Sequence, residues 1–138
     1  MRINKLTDYG IVIMTRIAAM DSNRIYTAKE LAKISKMPLP TVTRVLKTLS
    51  NEKILVSQRG NQGGYGLASS PSSISIASII EAFEGPIALT DCVSNESACS
   101  YENNCCTQEP WQKLTKLLEP LLRTLNLQIC SKQIKMID

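Results

Sequence analysis

Cysteines are the residues of this 138-residue chain whose type and spacing could do chemistry. Four of the five lie in DCVSNESACSYENNCC, residues 91–106, with intervals of six, five and no residues between them. Thiolates are soft ligands that select zinc or iron–sulfur clusters. Structural zinc sites usually pair their cysteines as C-x2-C, so the wide intervals favour an iron–sulfur cluster. Zinc and metal-free, oxidisable thiols are the alternatives.

The rest of the composition limits the setting of these thiols. The first ten residues, MRINKLTDYG, lack the apolar core of a secretory signal, so we expect a cytoplasmic protein whose thiols stay reduced. The apolar-rich stretch 111–129 contains four charged side chains and predicts no membrane span. C-x-x-C and histidine are both missing, so we expect neither an enzyme nor a small-molecule substrate.

Charge is divided sharply along the chain. The net charge is +4, but residues 24–59 carry +6 and residues 81–109 carry −6. Such a basic segment indicates a surface that meets a polyanion, and the acidic segment, which contains the cysteines, indicates a different task.

The elements that must position these groups begin with helices. Thr7 and Asp8 are predicted to open a first helix, and Thr27 with Glu30 forms a capping box for a second. A third helix is predicted over residues 40–51. The apolar positions of the first and third helices follow helical spacing, namely Leu6, Tyr9, Ile13, Ile17 and Met20, then Val42, Val45, Leu46 and Leu49. This succession is typical of a helix-turn-helix.

Two short strands, 54–56 and 65–68, flank the flexible tip 59–64 and predict a β-hairpin wing. The predicted fold is therefore mainly α, a winged helix-turn-helix that binds double-stranded DNA. Arg59 suits a narrow minor groove, whereas Arg44 suits either guanine or a phosphate. Tyr65 either contacts DNA or packs the base of the wing against the domain. The candidate DNA-binding residues are Pro40, Thr41, Thr43, Arg44 and Lys47 on the third helix and Arg59, Gly63, Gly64 and Tyr65 in the wing.

Ser75 is predicted to open a fourth helix that stops at Gly85, and Pro110 a long last helix that Pro120 kinks or divides. Near-heptad apolar positions on the last helix predict a dimerisation seam, with packing on its own domain as the alternative. The seam comprises Trp111, Leu114, Leu118, Leu121 and Leu125. We predict one compact unit with three regions: DNA-binding 1–84, cluster-binding loop 85–109 and C-terminal dimerisation helix 110–138.

Together these motifs resemble the Rrf2 family of bacterial winged-helix repressors. The resemblance covers residues 1 to about 130 and is strongest to the iron–sulfur branch of the family, which includes regulators of cluster assembly and, as a cousin, a nitric-oxide-sensing repressor. It rests on LTDYG, the helix-turn-helix 27–51, RGNQGGYGLA in the wing, ISIASIIEAFEGPIALTDC and the spaced cysteines.

The resemblance implies a homodimer on a two-fold-symmetric operator, with an iron–sulfur cluster held by Cys92, Cys99 and Cys105. Two features depart from the family pattern. The first cysteine interval is one residue longer, and no histidine is present as fourth ligand, Gln108 lying near its expected place. The resemblance to the nitric-oxide-sensing relative implies that Asp8 of the other subunit is the fourth ligand instead. Cys106 is a second candidate, while Asp8 would also stabilise a helix N-terminus without any metal.

We therefore expect a homodimeric repressor whose operator binding is controlled by an iron–sulfur cluster, in cluster assembly or in a redox or nitric oxide response. The sequence leaves open whether the cluster is 2Fe–2S or 4Fe–4S, and whether the cluster-bound or the cluster-free form binds DNA. The alternative is the same DNA-binding scaffold sensing oxidants through thiols or zinc without a cluster.

Overall fold

The computed structural model describes residues 3–87 and 108–137, the side chains of 108 and 133–137 excepted. It is mostly helical with one two-stranded antiparallel hairpin, which confirms the winged helix. The elements are α1 Lys5–Ala19, α2 Ala28–Ser35, α3 Leu39–Asn51, β1 Leu55–Gln58, β2 Gly64–Leu67, α4 Ile76–Glu84, α5 Gln108–Thr124 and α6 Leu127–Ile137, with a 3-10 turn Pro71–Ser73 before α4.

Helix α1 begins earlier than predicted. Asn4, not Thr7, is its N-cap, and the Asn4 side chain accepts a hydrogen bond from the Leu6 N–H. Thr7 is fully buried instead. Gly10 lies against α4, where a Cβ would come within 2.6 Å of the Phe83 ring. This close approach explains why the buried face of α1 includes a glycine that apolar spacing does not reveal.

Helices α2 and α3 form as predicted. The Thr27 hydroxyl accepts from the Glu30 N–H at 3.2 Å, and the Glu30 carboxylate accepts from the Thr27 N–H at 2.8 Å. The hydrogen bond from the Thr27 backbone, aided by the charge of Arg24, lowers the pKa of Glu30. In α3 the predicted inner residues are all fully buried: Val42, Val45, Leu46 and Leu49.

The wing is shifted slightly from its predicted strands and is anchored to the segment before α2. Strand β1 covers 55–58 and β2 covers 64–67, with Leu55 opposite Leu67 and Gln58 opposite Gly64. Tyr26 and Tyr65 exchange backbone hydrogen bonds of 2.8 and 2.7 Å. At Gly64, where φ is +157°, a Cβ would collide with the Tyr26 carbonyl. The base of the wing is thus fixed by a third backbone segment.

The C-terminal region holds two helices, so the single long helix predicted over 110–138 is wrong, and the division does not fall at Pro120. Helix α5 continues through Pro120, and the break falls at residues 125–126. There the Ile76 N–H donates to the Leu125 carbonyl at 2.9 Å, and the Leu127 N–H donates to the Ile74 carbonyl at 3.1 Å. The chain therefore leaves the helix to pair with the segment before α4.

The core joins the helices of the winged helix to α6, whereas α5 packs against α4 outside this cluster. Residues of α1 and α3 meet the fully buried Leu31, Leu55, Ile79 and Leu127, and α6 packs along α1. The recognition helix α3 is therefore held by α1, which also contacts α4 and α6. Over the described ranges, 3–87 and 108–137, no helix is both long enough and apolar enough to cross a membrane.

Candidate nucleic-acid interface and cysteine segment

The outer face of α3 presents the predicted cationic residues. Pro40, Arg44 and Lys47 are exposed, and Thr41 and Thr43 are half-buried. The Thr43 hydroxyl donates to the Leu39 carbonyl at 2.9 Å, which leaves its oxygen free to accept. Because the opposite face of α3 is fully buried, these side chains have one fixed direction, away from the core.

The wing adds a second set of groups. Arg59 is exposed at the start of the tip, and Gly63 and Gly64 are half-buried. Tyr65 packs against the core, which confirms its role as the packing foot of the wing. Its contact with DNA stays a prediction, as do the contacts of the other candidates.

The cations of this surface are available for a partner. Among residues 3–87 and 108–132, Arg44, Lys47 and Arg59 form no ion pair, whereas Arg24 pairs with Glu30 at 2.8 Å. A cation without a carboxylate partner can neutralise a phosphate without first breaking an ion pair. The combination of a helix face and a wing with unpaired cations is suited to duplex DNA.

Of the cysteine segment, the structure describes only the two flanks. Cys92, Cys99, Cys105 and Cys106 lie outside the described residues, and the described part of the chain contains no group of three metal-ligating side chains. Asp8 is exposed in the first turn of α1. Cys130 is partly buried against the core, as expected of a packed thiol.

The flanks of the segment are tied to the rest of the fold by charged groups that the sequence did not single out. Glu84, the last residue of α4, accepts from the Asn4 N–H at 2.6 Å and from the Thr7 hydroxyl at 2.9 Å. Spacing in sequence gives no sign of this contact, because its partners are about 80 residues apart. Glu84 thus connects the end of α4, which precedes the cysteine segment in sequence, to the helical turn that carries Asp8.

Arg123 secures the other flank. It donates to Glu81 of α4 at 2.6 Å and to Glu119 at 2.8 Å. The hydrogen bond to Glu119 and the charge of Glu81 raise the pKa of Arg123. The four-residue spacing of Glu119 and Arg123 is visible in the sequence as a helix-surface pair, but the link to Glu81 is not.

Helix α5 exposes a continuous apolar face. Leu118 is half-buried, but Leu117, which the heptad pattern missed, is 68% exposed and Leu121 is 64% exposed. The other exposed members of this face are Trp111 and Leu114, and Leu125 is exposed directly after the helix ends.

Residues 3–132 match the Rrf2 family, the iron-dependent transcriptional regulators. The chain belongs to the Rrf2 family. It is therefore a DNA-binding transcription regulator and not an enzyme, as the residues and their resemblance to this family predicted.

Named relatives of this Rrf2 protein include several regulators. It is 27% identical to a regulator from Aquifex aeolicus over 83% of this chain and 81% of that protein. It is 24% identical to the regulator NsrR of Halalkalibacterium halodurans over 88% of this chain and 80% of that protein.

Two solved structures share the fold. CymR, the global cysteine regulator of B. subtilis, superposes with a TM-score of 0.73 at 23% identity, covering 96% of this chain and 98% of CymR. IscR of T. potens superposes with a TM-score of 0.70 at 22% identity, covering 100% of this chain and 89% of IscR. These likenesses support the winged-helix architecture.

Proposed function

We propose that this Rrf2 protein is a homodimeric repressor whose operator binding is controlled by an iron–sulfur cluster, with Cys92, Cys99 and Cys105 as ligands. The observation that carries the proposal is the Glu84 contact. It joins the α4 end of the cysteine segment to the first turn of α1. A chemical change in the segment would therefore act on a helix that packs against α3.

The donor set fits a cluster. Four thiols lie within fifteen residues, and thiolates are the usual ligands of iron–sulfur clusters. Asp8 of the other subunit or Cys106 would complete the ligation, and incomplete cysteine ligation suits a centre that must respond. When bound, the cluster would supply a group sensitive to oxidants, to nitric oxide or to the cell's iron–sulfur supply.

The path from the segment to DNA runs through packed elements. Glu84 contacts the Asn4 and Thr7 end of α1, and Phe83 lies against Gly10 one turn further along. This packing is too close for a side chain at Gly10, so a displacement of α4 would press on α1. Helix α1 in turn supports α3, so a shift of α4 would change the direction of the recognition helix.

Dimerisation places two such recognition helices on one operator. The exposed apolar face of α5 is the surface we assign to the second copy, because water-exposed leucines in this number usually mark an interface. The regions proposed from the sequence keep their roles, with α5 rather than a single helix 110–138 providing the seam.

Anaerobic purification tests the cluster. The wild-type protein should be coloured and contain iron and sulfide, and Cys92→Ala should lose both the visible absorption and most of the iron. Cys130→Ala is the matched control and should keep them, because Cys130 lies on α6 and packs against the core. A colourless protein with stoichiometric zinc would overturn the cluster and leave DNA binding intact.

The second candidate function, thiol sensing without a cluster, is favoured by the likeness to the cysteine regulator CymR. It predicts that peroxide changes operator affinity reversibly in iron-free protein. The cluster proposal predicts instead that operator affinity follows the iron and sulfide content.

A further inference from the structure

A polar groove separates the C-terminal half of α3 from the wing. Its volume is about 400 Å³. The lining residues come from α3 and from both strands and the tip of the wing: Lys47, Ser50, Asn51, Ser57, Gln58, Arg59, Gly64 and Tyr65.

The chemistry of the lining suits a single anionic group. It contains two cations, two side-chain amides and three hydroxyls, and it contains no carboxylate. Lys47 and Arg59 approach from opposite walls, and neither is paired with an acid among the described side chains. A neighbouring groove of about 380 Å³ behind the wing has only one cation, Arg24, which Glu30 already neutralises.

The groove is formed before any partner arrives. On one wall, the buried face of α3 holds Lys47 and Asn51 in place. On the other, Gln58 pairs with Gly64 across the hairpin, and Tyr65 is fixed by its backbone hydrogen bonds with Tyr26. The backbone of both walls is thus fixed before binding, so only the exposed side chains lose conformational entropy when an anion binds.

We propose that this groove is a phosphate-binding site that holds one phosphodiester of the operator backbone, between the major-groove contacts of α3 and the contacts of the wing tip. Lys47 and Arg59 neutralise the phosphate, while the Asn51 and Gln58 amides donate to its oxygens. The site fixes the position of the winged helix along the duplex but does not distinguish bases. The inference rests on the DNA-binding role in the proposed function, and not on the cluster.

Asn51→Asp tests the site, because it places a carboxylate in the groove with almost no change in shape. Asn23→Asp is the matched control, since Asn23 is exposed and lines the neighbouring groove. We expect Asn51→Asp to weaken binding about tenfold on operator and on unrelated duplex alike, and to reduce the salt slope by about one. Asn23→Asp should change neither. Gln58→Glu, which places a carboxylate on the wing side of the groove, should weaken DNA binding in the same way. This second variant excludes the explanation that Asn51→Asp merely disturbs the end of α3.

Replacing single backbone phosphates with methylphosphonates locates the contact. At one position in each half-site, the replacement should weaken DNA binding by the wild-type protein. The same replacement should cause no further loss of affinity for Asn51→Asp. Equal affinities of Asn51→Asp and Asn23→Asp, or a loss confined to the operator, would overturn the site while DNA binding stands.

Two further outcomes have separate meanings. A wild-type protein that binds no DNA would overturn the proposed function and the site together. Saturable binding of inorganic phosphate, with shifted Asn51 and Gln58 amide resonances but with equal operator affinities of Asn51→Asp and the wild-type protein, would reassign the groove to a free anion and overturn the DNA assignment.

Discussion

A single side chain, Glu84, joins the end of α4 to the N-terminus of α1. The Thr7 hydroxyl is fully buried and donates to Glu84, so the carboxylate satisfies a polar group that would otherwise be unpaired. The same carboxylate lies at the N-terminus of α1, where a negative charge is favoured by the helix dipole. Glu84 therefore stabilises the native state, and in the proposed mechanism it would also transmit changes from the segment.

These two contributions of Glu84 can be separated by substitution. Glu84→Ala removes both hydrogen bonds and should lower the free energy of unfolding by about 1–2 kcal/mol. Glu84→Gln keeps an acceptor oxygen and should cost less than about 1 kcal/mol. Urea unfolding of the cluster-free protein measures both. Glu52→Ala, at the exposed end of α3, should leave stability nearly unchanged. Equal losses for Glu84→Ala and Glu52→Ala would contradict the contact.

At the scale of elements, the sequence predicted local structure well and long-range contacts poorly. The capping box of Thr27 and Glu30 and the buried face of α3 depend on residues within one or two turns, so their spacing was enough. The N-terminus of α1 was misplaced because Thr7 is a good cap by type, but its hydroxyl is used by α4. The Glu84, Gly10 and Tyr26 contacts join distant parts of the chain and leave no periodic signal.

At the break between α5 and α6, long-range contacts again prevail over a local preference. Proline disfavours a helix interior, yet α5 runs through Pro120. The interruption falls where the Asn126 side chain accepts from the Ile129 N–H at 3.0 Å and caps α6. Tertiary pairing with the segment before α4 and a good cap thus outweigh the local preference of proline.

Alanine substitutions at Asn126 and Pro120 should therefore change the free energy of unfolding in opposite directions. Asn126→Ala removes the cap of α6 and should lower the free energy of unfolding by about 1 kcal/mol. Pro120→Ala restores a backbone donor inside α5 and should raise it by about 1–3 kcal/mol. Chemical denaturation at fixed protein concentration measures both. If Pro120→Ala destabilises the protein instead, the proline is required by the packing of α5 and not merely tolerated.

At the scale of the whole molecule, the proposed homodimer would join two winged helices on one operator. One winged helix presents one α3 and one wing, and a symmetric operator offers two half-sites. Joining two heads raises affinity without any new contact, because the second head binds at a high effective concentration. The apolar face of α5 lies at the opposite end of the sequence from α3, yet α5 packs against α4, which contacts both α1 and α3.

A charged substitution on this face should separate the heads without damaging them. Leu121 is 64% exposed, so Leu121→Glu would leave the folded chain intact while placing a carboxylate in the seam. We expect a monomer by analytical ultracentrifugation and an operator affinity lowered by about 100-fold or more, with binding to a single half-site nearly unchanged.

Asn23→Asp adds the same charge at an exposed site and should remain dimeric. A dimeric Leu121→Glu protein would move the seam away from α5. A monomer that keeps full operator affinity would contradict the coupling of two heads, because affinity would then reside in one winged helix alone.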